Sequence, residues 1–247
     1  MKLPKQLGKP PLVDMVFEVR FEAQTPVASI LPGVLLSDLK NLPKIERLPA
    51  ADLPEQFRMS NPSLKYAPVI RASWDKYLIL IGDRNLGLGC GANYPGWEVF
   101  KPAALKLFDL LFKSAVVTKV ERYSFKSINV FFPEFGSASE IIDFQLSFGP
   151  NKLDKTLFHV RSEIVDNDKT INVVQLHSQG TVNFPDGTSR TGPMLDIDNI
   201  VHLDNKEIAQ FFRELPDELE RIHTRNKVLF FESLRPETLK KLEPVYD

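Results

Sequence analysis

Cysteine occurs once in 247 residues, at Cys90. A disulfide within the chain is therefore excluded, and so is a zinc site built from several thiolates. Histidine is scarce too, with four, at His159, His177, His202 and His223. Net charge is nearly absent: 31 basic against 32 acidic residues leave −1. No net basic field favours nucleic acid or an anionic membrane. No window approaches about 18 uncharged apolar residues, so no membrane-spanning helix is expected. The segment Met1 to Gly8 has no apolar signal-peptide core, and a cytoplasmic protein is the expectation. The GxGxxG, GxxxxGK[ST] and GxSxG spacings are all missing, so no cofactor is expected.

What is present is ordinary globular composition, 43% hydrophobic and 26% charged, which argues against disorder. The clearest local signal lies near the start. Val13, Met15, Phe17, Val19 and Phe21 alternate with Asp14, Glu18, Arg20 and Glu22. A period of two puts one face on a core and the other toward water. A short helix is expected over 33–41, then an irregular stretch marked by Pro43 and Pro49. Strands are expected over 69–74 and 77–81 about an Asp75-Lys76 turn, and a glycine-rich strand over 86–90. Tyr94-Pro95-Gly96 precedes a helix carrying Phe100, Ala104, Leu107, Phe108 and Leu111 at helical spacing. Trp97 and Phe100 read as core. Pro102 places the start of that helix only a few residues earlier.

A long strand over 119–132 leads to Phe132-Pro133-Glu134-Phe135-Gly136, the best candidate boundary between halves. Beyond it, strands are expected over 144–148, 156–165, 170–176 and 194–198, with turns at 166–169 and 185–187. Asp204 or Asn205 can cap a C-terminal helix, which Pro216 should kink or divide, and Pro236 opens a last short one. The expected fold class is α+β: two lobes of largely antiparallel sheet, 1–133 and 134–247, each packed by helices and together one integrated domain, with a C-terminal helical region.

Three groups of residues invite chemistry. Gly87-Leu88-Gly89-Cys90-Gly91 is glycine-rich but lacks phosphate-loop spacing, and reads as a strand end or bulge, with Cys90 a buried hydrophobe. His159 and His177 sit on neighbouring strands. If Val165 pairs with Thr170 across an even turn, His177 faces Phe158 and His159 points to the other face. No metal site is expected from that register. Asp196-Ile197-Asp198 sets two carboxylates on one strand face with His202 nearby. These three are the candidate catalytic residues: paired carboxylates bind a hard cation or raise each other's pKa, and they also form solvated strand faces. His223 and Lys227 form an i, i+4 pair on a helix.

Several segments in order carry a resemblance. They are Pro10-Pro11-Leu12-Val13 running into Phe17-Glu18-Val19-Arg20-Phe21, then Tyr94-Pro95-Gly96-Trp97-Glu98-Val99-Phe100. Leu195-Asp196-Ile197-Asp198, Ile222-His223, Asn226-Lys227 and Phe230-Phe231 follow. Together they resemble a sporadically distributed family of uncharacterised bacterial proteins, over nearly the whole chain. The family pattern has Glu where Asp14 stands and Arg-Tyr-Ile-Asn where this chain has Lys126-Ser127-Ile128-Asn129. The resemblance brings no catalytic residues. It implies an accessory gene of the kind carried with defence or toxin–antitoxin cassettes.

Three functions compete. The leading expectation is a non-enzymatic interaction protein, binding a protein partner or a second copy of itself, with some of the 18 Phe lining an interface. The second is a metal-dependent hydrolase or nuclease using Asp196, Asp198 and His202. The third is a small-ligand sensor with a cavity between sheet and helix.

Overall fold

The computed structural model describes every residue except 1, 41–43, 93, 154–155, 185, 205–206 and 247. Pro43, Pro185 and Asn205, on which three expectations rest, lie outside the described residues. In chain order the strands are β1 (Gln6–Leu7), β2 (Leu12–Ala23), β3 (Lys44–Arg47), β4 (Pro68–Trp74), β5 (Tyr77–Gly82), β6 (Asn85–Gly89) and β7 (Val117–Val130). They continue as β8 (Ser147–Phe148), β9 (Asn151–Lys152), β10 (His159–Val165), β11 (Ile171–Asn183), β12 (Ser189–His202) and β13 (Pro244–Val245). The helices are α1 (Leu31–Asp38), α2 (Glu55–Ser60), α3 (Trp97–Lys113), α4 (Ala138–Ile141), α5 (Ile208–Ser233) and α6 (Pro236–Lys241). The chain is α+β, with a large antiparallel sheet and packing helices. Among the described residues, nine strands follow the hydrogen-bonded order β10-β11-β12-β7-β2-β6-β5-β4-β3. No described helix is long and apolar enough to cross a membrane.

Two compact units are present, and neither is a contiguous half. One comprises 1–14, 126–199 and 222–247; the other comprises 15–125 and 200–221. Their limits fall inside β2, β7, β12 and α5, each of which contributes residues to both units. The 132–136 segment lies within the first.

In the second unit, the alternation along β2 becomes real: Phe17, Val19 and Phe21 are fully buried while Glu18, Arg20 and Glu22 stay half-buried. β6 pairs with β2 on one side and β5 on the other in regular register, Phe17 opposite Leu88 and Ile79 opposite Leu88. The glycine-rich segment is thus a central strand. Gly87 lies between Val16 and Leu80. Asp75 takes φ 54° in the β4–β5 turn. α3 covers this core, with Phe108 edge-on to Phe17 at 5.1 Å.

In the first unit, Phe131, Phe135, Ile141, Leu176, Leu195, Ile197, Phe230 and Phe231 form the core. The short strand expected at 194–198 runs over 14 residues, Ser189 to His202. In the fold a Cβ on Gly192 would meet the Phe131 carbonyl at 2.0 Å, and Phe131 N–H donates to the Pro193 carbonyl at 2.9 Å. The glycine permits close backbone approach instead of ending the strand. The expected strand over 144–148 shrinks to β8, while Phe144 packs on Phe158 at 5.4 Å. α5 runs through Pro216 undivided. Phe211, Leu215 and Leu219, on the part of α5 that belongs to the second unit, are buried, and burial outweighs the one backbone bond that proline removes.

Candidate functional site

Asp196 and Asp198 lie on one face of β12, opposite the face carrying Leu195 and Ile197 into the core. Asp196 is only 6% exposed. Its Oδ2 receives Lys126 Nζ at 2.9 Å and Gln175 Nε2 at 3.2 Å. Its Oδ1 is buried with no hydrogen-bond partner. The carboxylate is therefore held by one ammonium from β7 and one amide from β11. Asp198 is half-buried beside it. His202 is exposed four residues further along the same strand, a rise of about 13 Å from Asp198. That spacing is too long for shared ligation, so the three-residue cluster expected from sequence does not form along β12. Among the described residues, no three His, Cys, Asp or Glu side chains gather as metal ligands.

The histidine register differs from expectation. Val165 pairs with Ile171, so an odd number of residues, 166–170, separates β10 from β11. His159 then faces His177 directly, and their rings stack with centroids 3.9 Å apart and planes 9° apart. The cause is local. Lys169 N–H donates to the Asp166 carbonyl at 2.9 Å, and Asp166 N–H donates to the Thr170 carbonyl at 3.0 Å. Lys169 takes φ 64°, the left-handed residue that follows a tight turn in a bulged hairpin loop. Glycine or asparagine usually signals that position; lysine hides it.

His159 Nε2 lies 3.3 Å from Gln175 Oε1. A polar row therefore runs His159, Gln175, Asp196, Lys126. Burial depresses the His177 pKa first and the neighbouring His159 depresses it further, while Asp196 opposes both. Gln175 and Lys126 carried no signal as site residues, because their role depends on strand pairing.

The opposite face holds a buried amide relay. Ser127 Oγ donates to Asn226 Oδ1 at 2.7 Å. Asn226 Nδ2 donates to Asn199 Oδ1 at 2.8 Å and to the Ile197 carbonyl at 3.1 Å. Asn199 Nδ2 donates to Asn172 Oδ1 at 2.6 Å, and Asn172 Nδ2 donates to Asp166 Oδ2 at 2.7 Å. Arg225 pairs with the same Asp166 oxygen. The relay tethers the β10–β11 turn to α5.

Among the described residues, β10 ends the strand order with β11 as its one neighbour. All its residues except Val160 are exposed, with Ile164 at 48% and Val165 at 66%. Phe148 and Leu157, in the segments before it, are 78% and 82% exposed. Ser178 N–H donates to the Phe158 carbonyl, and Asp166 N–H to the Thr170 carbonyl. Even-numbered residues thus turn their backbone groups toward β11. The N–H and C=O groups of His159, Arg161, Glu163 and Val165 face outward.

In the second unit a cavity of about 150 Å³ is lined by Ser29, Arg47, Glu55, Arg58 and Asp83 among others. Arg58 Nε donates to Asp83 Oδ2 at 2.8 Å and its Nη1 to the Leu53 carbonyl at 2.5 Å. This space is small beside pockets that bury a drug-sized ligand, about 300–1,000 Å³.

The chain matches no family model, and no curated protein matches it in sequence.

Proposed function

We propose that this protein is a non-enzymatic interaction protein of the bacterial cytoplasm whose contact surface is the free edge of β10. One observation carries the reading: a seven-residue edge strand open to water on both faces, with outward backbone groups at alternate residues and exposed Ile164 and Val165. Such an edge is a template for a further strand, and proteins that do not use one normally shorten, charge or cover it. The relay through Asn172 and Asp166 holds the edge in place, which lowers the ordering cost of binding. The acidic pair supports the same reading from the other side. Asp196 is occupied by Lys126 and Gln175, an arrangement suited to fixing strands.

A photo-crosslinking residue placed at Ser162 in intact cells tests this. Discrete protein adducts are expected there and not at the control position Leu36, which is 59% exposed in the other unit. No adduct at Ser162, together with phosphodiester hydrolysis lost in Asp196→Asn, would replace this reading with the metal-dependent hydrolase.

A further inference from the structure

We propose that the occupant of the β10 edge is β10 of a second copy of this chain, joined antiparallel about a two-fold axis at Ser162. The inference rests on the reading of β10 as the contact surface and adds the partner and the register.

The sequence of β10, His159-Val160-Arg161-Ser162-Glu163-Ile164-Val165, is self-complementary in one register. Centred on Ser162, antiparallel pairing sets Arg161 opposite Glu163 of the second copy, and Glu163 opposite its Arg161. Val160 then meets Ile164, His159 meets Val165, and Ser162 meets Ser162. Arg161 and Glu163 already pair within the chain, Nη2 to Oε1 at 2.6 Å, and both are half exposed. Across the axis they complete a square of four charges with alternating sign. The neighbouring symmetric registers, centred on Arg161 or on Glu163, place like charges directly opposite, which is unfavourable.

Backbone geometry permits this register, and the charges choose it over the other two. Antiparallel strands bond through residues whose N–H and C=O both point at the partner. Here those are the odd-numbered residues. Centring on Ser162 pairs 161 with 163 and 159 with 165, odd with odd throughout, so each pair can exchange two bonds. The other terminal strand, β3, is four residues long and carries Lys44, Glu46 and Arg47, the short charged form that discourages pairing. A two-fold contact of this kind closes on itself and leaves no free β10 edge for a third copy.

Sedimentation velocity of the purified full chain up to about 100 μM should show a dimer. Arg161→Glu and Glu163→Arg, each placing like charges across the axis, should each weaken it by about tenfold or more. Mixing the two variants restores opposite charges and should give a heterodimer. Ser162→Cys gives a direct register test. Residues facing at a non-hydrogen-bonded pair have Cα atoms about 4.5 Å apart, within disulfide range. Oxidation should therefore link two chains, and the native Cys90 is buried away from competition. All these positions are exposed, and circular dichroism will confirm the fold of each variant. A monomer at every concentration overturns the inference. So does a dimer indifferent to both charge reversals that forms no Ser162→Cys crosslink. A monomer whose Ser162 position crosslinks to another protein in cells overturns self-pairing while leaving the interaction reading intact.

Discussion

His159 and His177 stack face to face across the β10–β11 pair, ring centroids 3.9 Å apart, because a left-handed Lys169 adds one residue to the loop between their strands. Two imidazoles in that geometry cannot both be protonated cheaply. Gln175 Oε1 accepts from the Nε2 edge of the His159 ring, and Asp196 acts on the charge of the His177 ring. The neutral form of His177 is therefore favoured.

A pH dependence follows. Burial, then His159, lowers the His177 pKa from its ordinary 6.5. The unfolded chain binds the His177 proton more readily, so the contribution of His177 to stability is complete above about pH 6.5 and declines as pH falls through the folded value. Urea midpoints between about pH 5 and 8 should drop on the acid side. His177→Gln should flatten that drop most, and His159→Gln less, because burial is the larger cause. An unchanged slope in His177→Gln would place its origin in another group.

The Lys126–Asp196 pair should respond unequally to loss of either partner. Lys126→Ala strands a carboxylate that is 6% exposed and already carries one unpartnered oxygen, at a cost of about 2–3 kcal/mol. Asp196→Asn keeps a group that can bond Gln175 and leaves a lysine 36% exposed to find water, costing about 1 kcal/mol. Chemical denaturation of both variants measures the difference. Calorimetric titration with Mg²⁺ and Mn²⁺ should show no saturable heat below about millimolar. Micromolar binding abolished by Asp196→Asn would revive the hydrolase.

The amide relay makes a third prediction. Asn226→Asp keeps the shape but removes the donors to Asn199 Oδ1 and the Ile197 carbonyl, and brings a carboxylate against both acceptors. A loss of about 3 kcal/mol or more is expected. Ser127→Ala, which removes one hydroxyl donor at the end of the relay, should cost about 1–2 kcal/mol. Equal losses would mean that the relay contributes through packing alone. Hydrogen exchange of the even-numbered amides of β10, which face β11, should accelerate in Asn226→Asp, since the relay ends on the turn that holds that strand.

What was written locally in the chain could be read from it. The alternation along β2 needs only a period of two, so the buried Phe17, Val19 and Phe21 and the opposite placement of Glu18 and Arg20 were legible without any partner strand; that Glu18 and Arg20 are themselves half-buried was not. The Asp75-Lys76 turn and the amphipathic α3 were legible for the same reason. The α+β class followed from their order. Three features were decided by tertiary structure. A left-handed lysine changed the parity of one loop, and because successive strand residues point to opposite faces, that single residue moved every β10 side chain onto the face opposite its expected one. The strand expected over 194–198 extends through Gly192, where the Phe131 backbone comes within contact, a constraint no local pattern encodes. Asp196 was legible as a carboxylate on a strand face, but Lys126 and Gln175, far away in sequence, determine that it is buried and paired. Periodicity is a property of neighbours in the chain; register, burial of a charge and the identity of its partner are properties of neighbours in space.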